Sequence, residues 1–253
     1  MTDCGFGIDI GGSGIKAARV DLTSGEFIGE REKILTPQPA TPEAVAEVVA
    51  TLVDHADWTG SVGITLPSVI VGQRALTAAN IDSSWLGLDA GALFTHALGG
   101  RPVHLLNDAD AAGIAEVTYG LDDADVGTVL LLTFGTGIGS ALFRDGVLVP
   151  NTELGHMHVA GLKEIEAEQY ASSRVKTEEK LSYKAWAKRV SRVLNEYSRL
   201  LRPQLFVVGG GISRKAEKWV PRLTVDVPVV AAVLENRAGI VGAALAADRH
   251  LLP

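Results

Sequence analysis

Cysteine occurs once in this chain of 253 residues, at Cys4. A single thiol builds neither a disulfide framework nor a cysteine-based zinc cage, which excludes the stapled secreted domains and the zinc modules. Cys4 reads as an incidental thiol. Long apolar runs are also missing, and the first residues lack the basic-then-apolar layout of a secretion signal. The expectation is a cytoplasmic protein with no membrane partner. Basic charge is scarce: 23 Lys and Arg stand against 30 Asp and Glu, and the net −7 argues against nucleic acid as a partner. The deficit is uneven. Between Lys176 and Arg202, eight basic residues face only Glu178, Glu179 and Glu196, a local +5 that leaves −12 on the remainder. Low-complexity tracts and disordered linkers are absent, and the length is ample for a core in one large domain or two lobes.

What the chain does have is punctuation by glycine. "GFGIDIGGSGIKAARVDLTSGEFIGEREKIL" reads as three short strands joined by tight turns. "TPEAVAEVVATLVDHA" carries Thr41 as a cap and Pro42 at the first helical position, with Val45, Val48, Val49, Leu52 and Val53 on one face of an amphipathic helix. "SVGITLPSVIVG" returns to strand, "DAGALFTHALGG" is a short helix, and "PVHLLN" is a strand feeding the helix "DADAAGIAEVTYG". The opening layout then recurs in "GTVLLLTFGTGIGSALFRDGVLV", which predicts two copies of one supersecondary unit and a duplicated α/β architecture. A long helix capped by Ser182 follows, its predicted buried stripe running through Trp186, Val190, Val193, Leu194, Tyr197, Leu200 and Leu201. "QLFVVGGGIS" is strand and glycine turn, and "ENRAGIVGAALAADRHLL" is a closing helix.

The turns "DIGGSG" (9–14) and "TFGTGIG" (133–139) share a logic. Glycine admits positive φ and lets an anion approach the main-chain amides, and consecutive amides form an anion-binding concavity. Ser13 and Thr136 add hydroxyls, and Lys16 adds a cation. Neither turn is a Walker loop or a dinucleotide fingerprint, because strand rather than helix follows. One such hairpin is most often a plain turn. Two matching copies, with a third glycine cluster at Gly209, Gly210 and Gly211, point to a phosphate clamp. Its expected members are Gly11, Gly12, Ser13, Gly14 and Lys16 in the first turn, and Thr133, Gly135, Thr136 and Gly137 in the second.

"GIDIGGSGIK", "LLNDADAAGIAE", "LLTFGTGIGSAL", "ELGHM" and "FVVGGGIS", in that order and spread over nearly the whole chain, resemble the ROK family of sugar kinases and sugar-responsive repressors. That family lies within the sugar kinase, heat-shock ATPase and actin superfamily. The resemblance implies a two-lobed α/β fold of the actin-like ATPase and hexokinase type, with duplicated β-hairpin phosphate-binding units and an interlobe cleft. It implies an N-terminal lobe of residues 1–107 completed by a C-terminal helix at 239–253, and a second lobe of residues 108–238. One departure matters: typical members follow the "GH" motif with a zinc-binding cysteine cluster, and "HMHVAGLKEIEAEQYAS" has none. Shortened, cysteine-free chains with "GGSGIK" look like the polyphosphate-dependent glucokinase branch. No zinc site is expected.

For phosphoryl transfer to an alcohol, a base must stand near the hydroxyl and the phosphate charge must be neutralised. The resemblance makes Asp108 the base and Asn107 a sugar ligand; Asp108 sits where a strand feeds a helix, suited to accept a hydroxyl proton. Asp110 reads instead as a first-turn acid favoured by the helix dipole. Asn80, Glu153, His156 and Glu168 are the further sugar candidates. Glu166 is an alternative to Glu168, and His156 alone could equally be an ordinary surface or core histidine. Asp9, ending the first strand, is assigned to a Mg²⁺ shell directly or through water, against the plainer reading of a turn-initiating aspartate. The resemblance makes polyphosphate the expected donor and glucose the acceptor; Gly209, Gly210 and Gly211 stand where relatives hold the nucleoside, which leaves ATP open as a further donor.

An ATP-only hexokinase accepting mannose or fructose is the competing enzyme reading. A repressor would carry a helix-turn-helix ahead of the first turn, where only nine residues stand, and a polyphosphate phosphatase would lack the "ELGH" group. The resemblance also implies a homodimer, with the long helix at 183–202 contributing. Lys184, Lys188 and Arg192, spaced four apart with Arg189 beside them, form a ridge that is either a polyphosphate track or simply a solvated face.

Overall fold

The computed structural model describes residues 3–78 and 81–251. The chain divides into two compact units, residues 1–115 with 237–253, and residues 116–236. The first contains β1 (Cys4–Gly11), β2 (Gly14–Asp21), β3 (Phe27–Ile34), α1 (Pro42–His55), β4 (Val62–Leu66), a small hairpin of β5 (Ile70–Val71) and β6 (Arg74–Ala75), α2 (Ala90–Ala97), β7 (Val103–Asn107) and α3 (Asp108–Ala115). The second contains β8 (Thr128–Phe134), β9 (Ile138–Arg144), β10 (Val147–Val149), α4 (Ala167–Ala171), α5 (Ser173–Glu178), α6 (Tyr183–Leu201), β11 (Leu205–Gly209) and β12 (Val229–Ala231). Then α7 (Ala238–Asp248) returns to the first unit.

The duplication is visible in the sheets. One runs β3-β2-β1-β4-β7 and the other β10-β9-β8-β11-β12. Each begins with an antiparallel three-stranded meander and continues through two strands parallel to its first. The apolar run at 61–72 is not one strand: β4 stops at Leu66, because Pro67 has no N–H for a ladder.

Both predicted caps are present. Thr41 Oγ1 accepts from the Ala44 N–H at 3.4 Å and Ser182 Oγ from the Ala185 N–H at 3.2 Å. On α6, Trp186, Val190, Val193, Leu194 and Tyr197 are buried and Leu201 is partly buried against the same core, but Leu200 is 61% exposed and falls outside the stripe. Trp186 packs edge-on against Trp219 at 4.8 Å between ring centroids, and both meet Phe134, the last residue of β8. Where the chain enters the second unit a π turn spans Glu116–Gly120, and the buried Glu116 carboxylate accepts the N–H groups of Val233 (3.0 Å) and Leu234 (2.8 Å).

Packing in the first unit centres on α7, which is built almost wholly of small residues. A Cβ on Gly7 would lie 1.9 Å from the Ile240 carbonyl oxygen, and one on Gly63 would lie 1.8 Å from that of Ala243. On the other side, a Cβ on Gly242 would lie 1.8 Å from the Ala111 oxygen of α3. The helix therefore touches β1, β4 and α3 backbone to backbone, and α3 stays with the first unit, so the chain divides after Ala115 rather than after Asn107. Because nothing flexible lies at these contacts, Gly63→Ala should lower stability by about 2–4 kcal/mol, read as a drop in the urea midpoint with faster hydrogen exchange in α7 and β4. An unchanged midpoint would show that helix and strand are not in this contact.

Candidate active site

Gly12 and Ser13 form the exposed turn between β1 and β2. Contrary to the expectation of positive φ, none of Gly11, Gly12, Gly14, Gly135 and Gly137 lies in the left-handed region. At Gly12 and Gly135 a Cβ would meet nothing within 4 Å, so each glycine stands clear of other atoms on that side. Asp9 pairs with Lys16 across the β1–β2 ladder, with Lys16 Nζ 2.9 Å from Oδ2, and Thr65 Oγ1 donates to Oδ1 at 3.1 Å. Lys16 is thus held over the Asp9 carboxylate, with both side chains partly exposed. Gly239, at the start of α7, is the residue against Asp9, its Cβ position 3.4 Å from the carboxylate carbon. Beside the turn a cavity of about 230 Å³ is lined by Gly11, Gly12, Thr36, Gln38, Asp82 and Trp85, among others.

At the β7–α3 junction the three polar side chains separate. Asn107 is buried: its Oδ1 accepts from the N–H groups of Ala109 (2.8 Å) and Asp110 (3.4 Å), and its Nδ2 donates to the Ser68 carbonyl at 3.1 Å. It acts as the cap of α3, with one amide hydrogen left over. Asp110, in the first turn as expected, is wholly buried, while Asp108 is exposed, with Oδ1 accepting from the Ala109 N–H at 2.9 Å. Only Asp108 faces outward. Asn80 lies outside the described residues.

In the second unit the turn of Gly135, Thr136 and Gly137 is closed by a Gly135 N–H donating to the Gly137 carbonyl at 3.0 Å. Gly209 stands in register with Thr133, and Gly210, at φ +82°, presses so closely on Phe134 that a Cβ would lie 2.5 Å from its carbonyl oxygen. The third glycine cluster therefore lies directly against the second turn. A Cβ on Gly137 would lie 2.3 Å from Glu168 Oε2, which also accepts from the Ile138 N–H at 3.3 Å. Gly137 makes room for an acid.

His156 joins this group. Its Nδ1 is 3.1 Å from Glu166 Oε2 and its Nε2 3.8 Å from Glu153 Oε2. Possible ligand atoms of His156, Glu166 and Glu168 lie within 4.8 Å of one another, a constellation that would also suit a cation. Glu166 and Glu168 thus have different duties: one holds the histidine and caps α4 in a capping box with Gln169, and the other faces the turn. The segment is anchored by Tyr197, whose hydroxyl donates to the Leu154 carbonyl at 2.6 Å, and by Ser140 Oγ, which accepts from the Leu154 N–H at 3.0 Å. Burial pushes the Tyr197 phenol well above its ordinary range. Thr65, Ser68 and Tyr197 carried no signal in the sequence, because each lay inside an apolar strand or helix pattern.

The electrostatics follow from burial and charge. Burial pushes the Glu153 carboxyl up; the His156 charge opposes this and the Glu168 charge adds to it. The hydrogen bond to Glu166 holds His156 above its ordinary 6.5, against the effect of burial and with help from the charges of Glu168, Glu166 and Glu153. A raised folded-state value means that the stabilisation is complete below pH 6.5 and is lost as pH rises through the folded value. An NMR titration should place the His156 midpoint above 6.5, and Glu166→Gln should bring it down. A midpoint that ignores Glu166→Gln would show that the pair does not form in solution.

Residues 5–171 match the model of the ROK family. The chain is 54% identical over 242 residues to the polyphosphate glucokinase of Mycobacterium tuberculosis, covering 96% of this chain and 90% of that one. The inorganic polyphosphate/ATP-glucomannokinase of Arthrobacter sp. strain KM superposes with a TM-score of 0.90 at 46% identity, over 98% of this chain and 99% of that one. A ROK family glucokinase from Streptomyces griseus, in complex with glucose and AMPPNP, superposes with a TM-score of 0.81 at 25% identity, over 97% and 99%. Both structures have the fold described above.

Proposed function

This chain belongs to the ROK family, and we propose that it is a glucokinase that transfers a phosphoryl group from inorganic polyphosphate to glucose. The observation that carries the substrate pair is the 54% identity to a polyphosphate glucokinase along 96% of the chain. The chemistry is assigned to Asp108, the carboxylate of its cluster that faces outward. As base it takes the proton of the glucose 6-hydroxyl while that oxygen bonds to the terminal phosphorus. The bridging oxygen leaves with the polyphosphate, now one unit shorter, and the product is glucose 6-phosphate. Glu153, His156 and Glu168 offer donors and acceptors for the sugar hydroxyls, and Asn107 contributes its one remaining amide hydrogen. The two glycine turns are assigned to the donor phosphates, the first through the exposed Gly12 and Ser13.

Magnesium fits this chain through water. Both Asp9 oxygens already accept a protein donor, yet a carboxylate keeps further lone pairs for the waters of a hydrated ion. When bound, Mg²⁺ would neutralise donor phosphate charge. No zinc is expected to be needed, since the family's cysteine cluster is replaced by "HMHVAGLKEIEAEQYAS". The chain is assigned to the cytoplasm as a homodimer, with the exposed Leu200 end of α6 a contributor; among the described residues, no helix is long and apolar enough to cross a membrane.

The Arthrobacter relative, described as a polyphosphate/ATP-glucomannokinase, favours a second reading in which ATP and mannose also serve. Initial rates with polyphosphate and with ATP, each against glucose and mannose, decide between them, and no turnover with any polyphosphate would end the first. Asp108→Asn should lower kcat by about two to four orders of magnitude while sugar binding persists. Near-normal kcat in Asp108→Asn, with loss in Asp110→Asn, would move the base to the buried carboxylate. Glu168→Gln should raise the KM for glucose more than that for the donor, and an equal rise in both would indicate a general loss of structure.

A further inference from the structure

We propose that the cations gathered around Tyr183 in the second unit bind the part of a linear polyphosphate that extends beyond its terminal phosphates. The inference rests on the polyphosphate reading above and says where the rest of the polymer lies.

Three observations carry it. First, the backbone N–H of Arg174 donates to the Gly135 carbonyl at 3.1 Å, which fixes the start of α5 to the second phosphate turn. A chain leaving that turn meets the α5 side chains next. Second, Lys176 Nζ stands 4.2 Å and Lys218 Nζ 5.9 Å from the centroid of the Tyr183 ring. Lys176 is near Tyr183 in sequence and Lys218 is distant from both, and the fold brings two like charges to one ring. Among the described residues, neither ammonium has a carboxylate within 4.0 Å. Arg174, Lys180, Lys184 and Arg214 are exposed nearby in sequence, interrupted by the acids Glu178 and Glu217. Third, the three arginines of α6 are engaged by the protein. Arg189 bonds Glu179 and the Tyr170 carbonyl, Arg192 bonds the Ala160 carbonyl, and Arg199 bonds Glu196. The ridge of Lys184, Lys188 and Arg192 read from the sequence therefore loses its third member, and the available charge shifts toward Lys176 and Lys218.

Two unpaired ammoniums beside a polar turn suit a ligand with one negative charge on every repeat. Lysine is a point charge with no directional demand, which matches a flexible chain of phosphates better than a single fixed anion. Single-stranded nucleic acid fits less well. It needs open aromatic faces for base stacking, whereas Tyr183 is approached by Lys176 and Lys218, and Tyr170 by Arg189 and Arg192.

The test measures binding and kinetics of the whole protein with two probes, long-chain polyphosphate and tripolyphosphate. In the double variant Lys176→Gln/Lys218→Gln, both Kd and KM for the long chain should rise roughly tenfold, against a change under about twofold for tripolyphosphate, and the salt dependence of long-chain binding should become shallower. Lys176→Arg/Lys218→Arg, which keeps the charge, should restore most of the affinity. Long-chain binding unchanged in the Gln variant, or reduced equally for both probes, would overturn the proposal. So would competition by single-stranded DNA as strong as that by polyphosphate. If the wild type binds long polyphosphate through these lysines but does not turn it over, the donor reading fails and the surface stands; if it binds none, both fail.

Discussion

The first unit depends on a contact without side chains. Gly7 and Gly63 on the sheet, and Gly242 on the helix, let α7 lie against β1, β4 and α3 at distances where even a methyl group would overlap a carbonyl. Two of the proposed site positions hang from this contact. β1 carries Asp9 two residues before its end at Gly11, not at the end itself, and α3 begins with Asp108. Backbone carbonyls cannot change rotamer, so the helix, the strand and α3 move as one body or not at all. The proposed base would take its position from this close packing.

The two hairpins follow one plan and solve different problems. In the first, the turn stands clear and its carboxylate, Asp9, is neutralised by Lys16 and Thr65. In the second, the turn is crowded: Gly210 lies against Phe134 on one side and Glu168 against Gly137 on the other. A glycine in the turn thus stands in open space in one copy, at Gly12, and makes room for an acid in the other, at Gly137. The aromatic cluster of Phe134, Trp186 and Trp219 packs at the end of β8, where the second turn begins.

Much of this was legible in the sequence. Alternating apolar residues and glycine clusters marked both meanders, and Thr41 and Ser182 marked two helix starts by a local hydrogen bond that any sequence displays. Other features were not legible, for physical reasons. β12 is a three-residue edge strand whose pairing with β11 is wholly non-local, so no periodicity announces it. The glycines looked like left-handed positions because that is their commonest use, yet what matters at most of them is a neighbour distant in sequence. Asn107, Asp108 and Asp110 were indistinguishable by type. Only the burial of the first and third separates a cap and an inward acid from an outward carboxylate. Glu166 and Glu168 were likewise alike by type, and only their contacts, Glu166 with His156 and Glu168 with the Ile138 N–H, tell them apart.

The interruption of the first unit bears on biosynthesis. Residues 116–236 form a continuous segment, so every strand of the second sheet has been made before α7 is translated. The first sheet is made earlier still, yet its glycine-lined face has no cover until the last helix is made. During elongation that face stays open while an entire second unit is assembled, which makes it the surface of the nascent chain most in need of a chaperone.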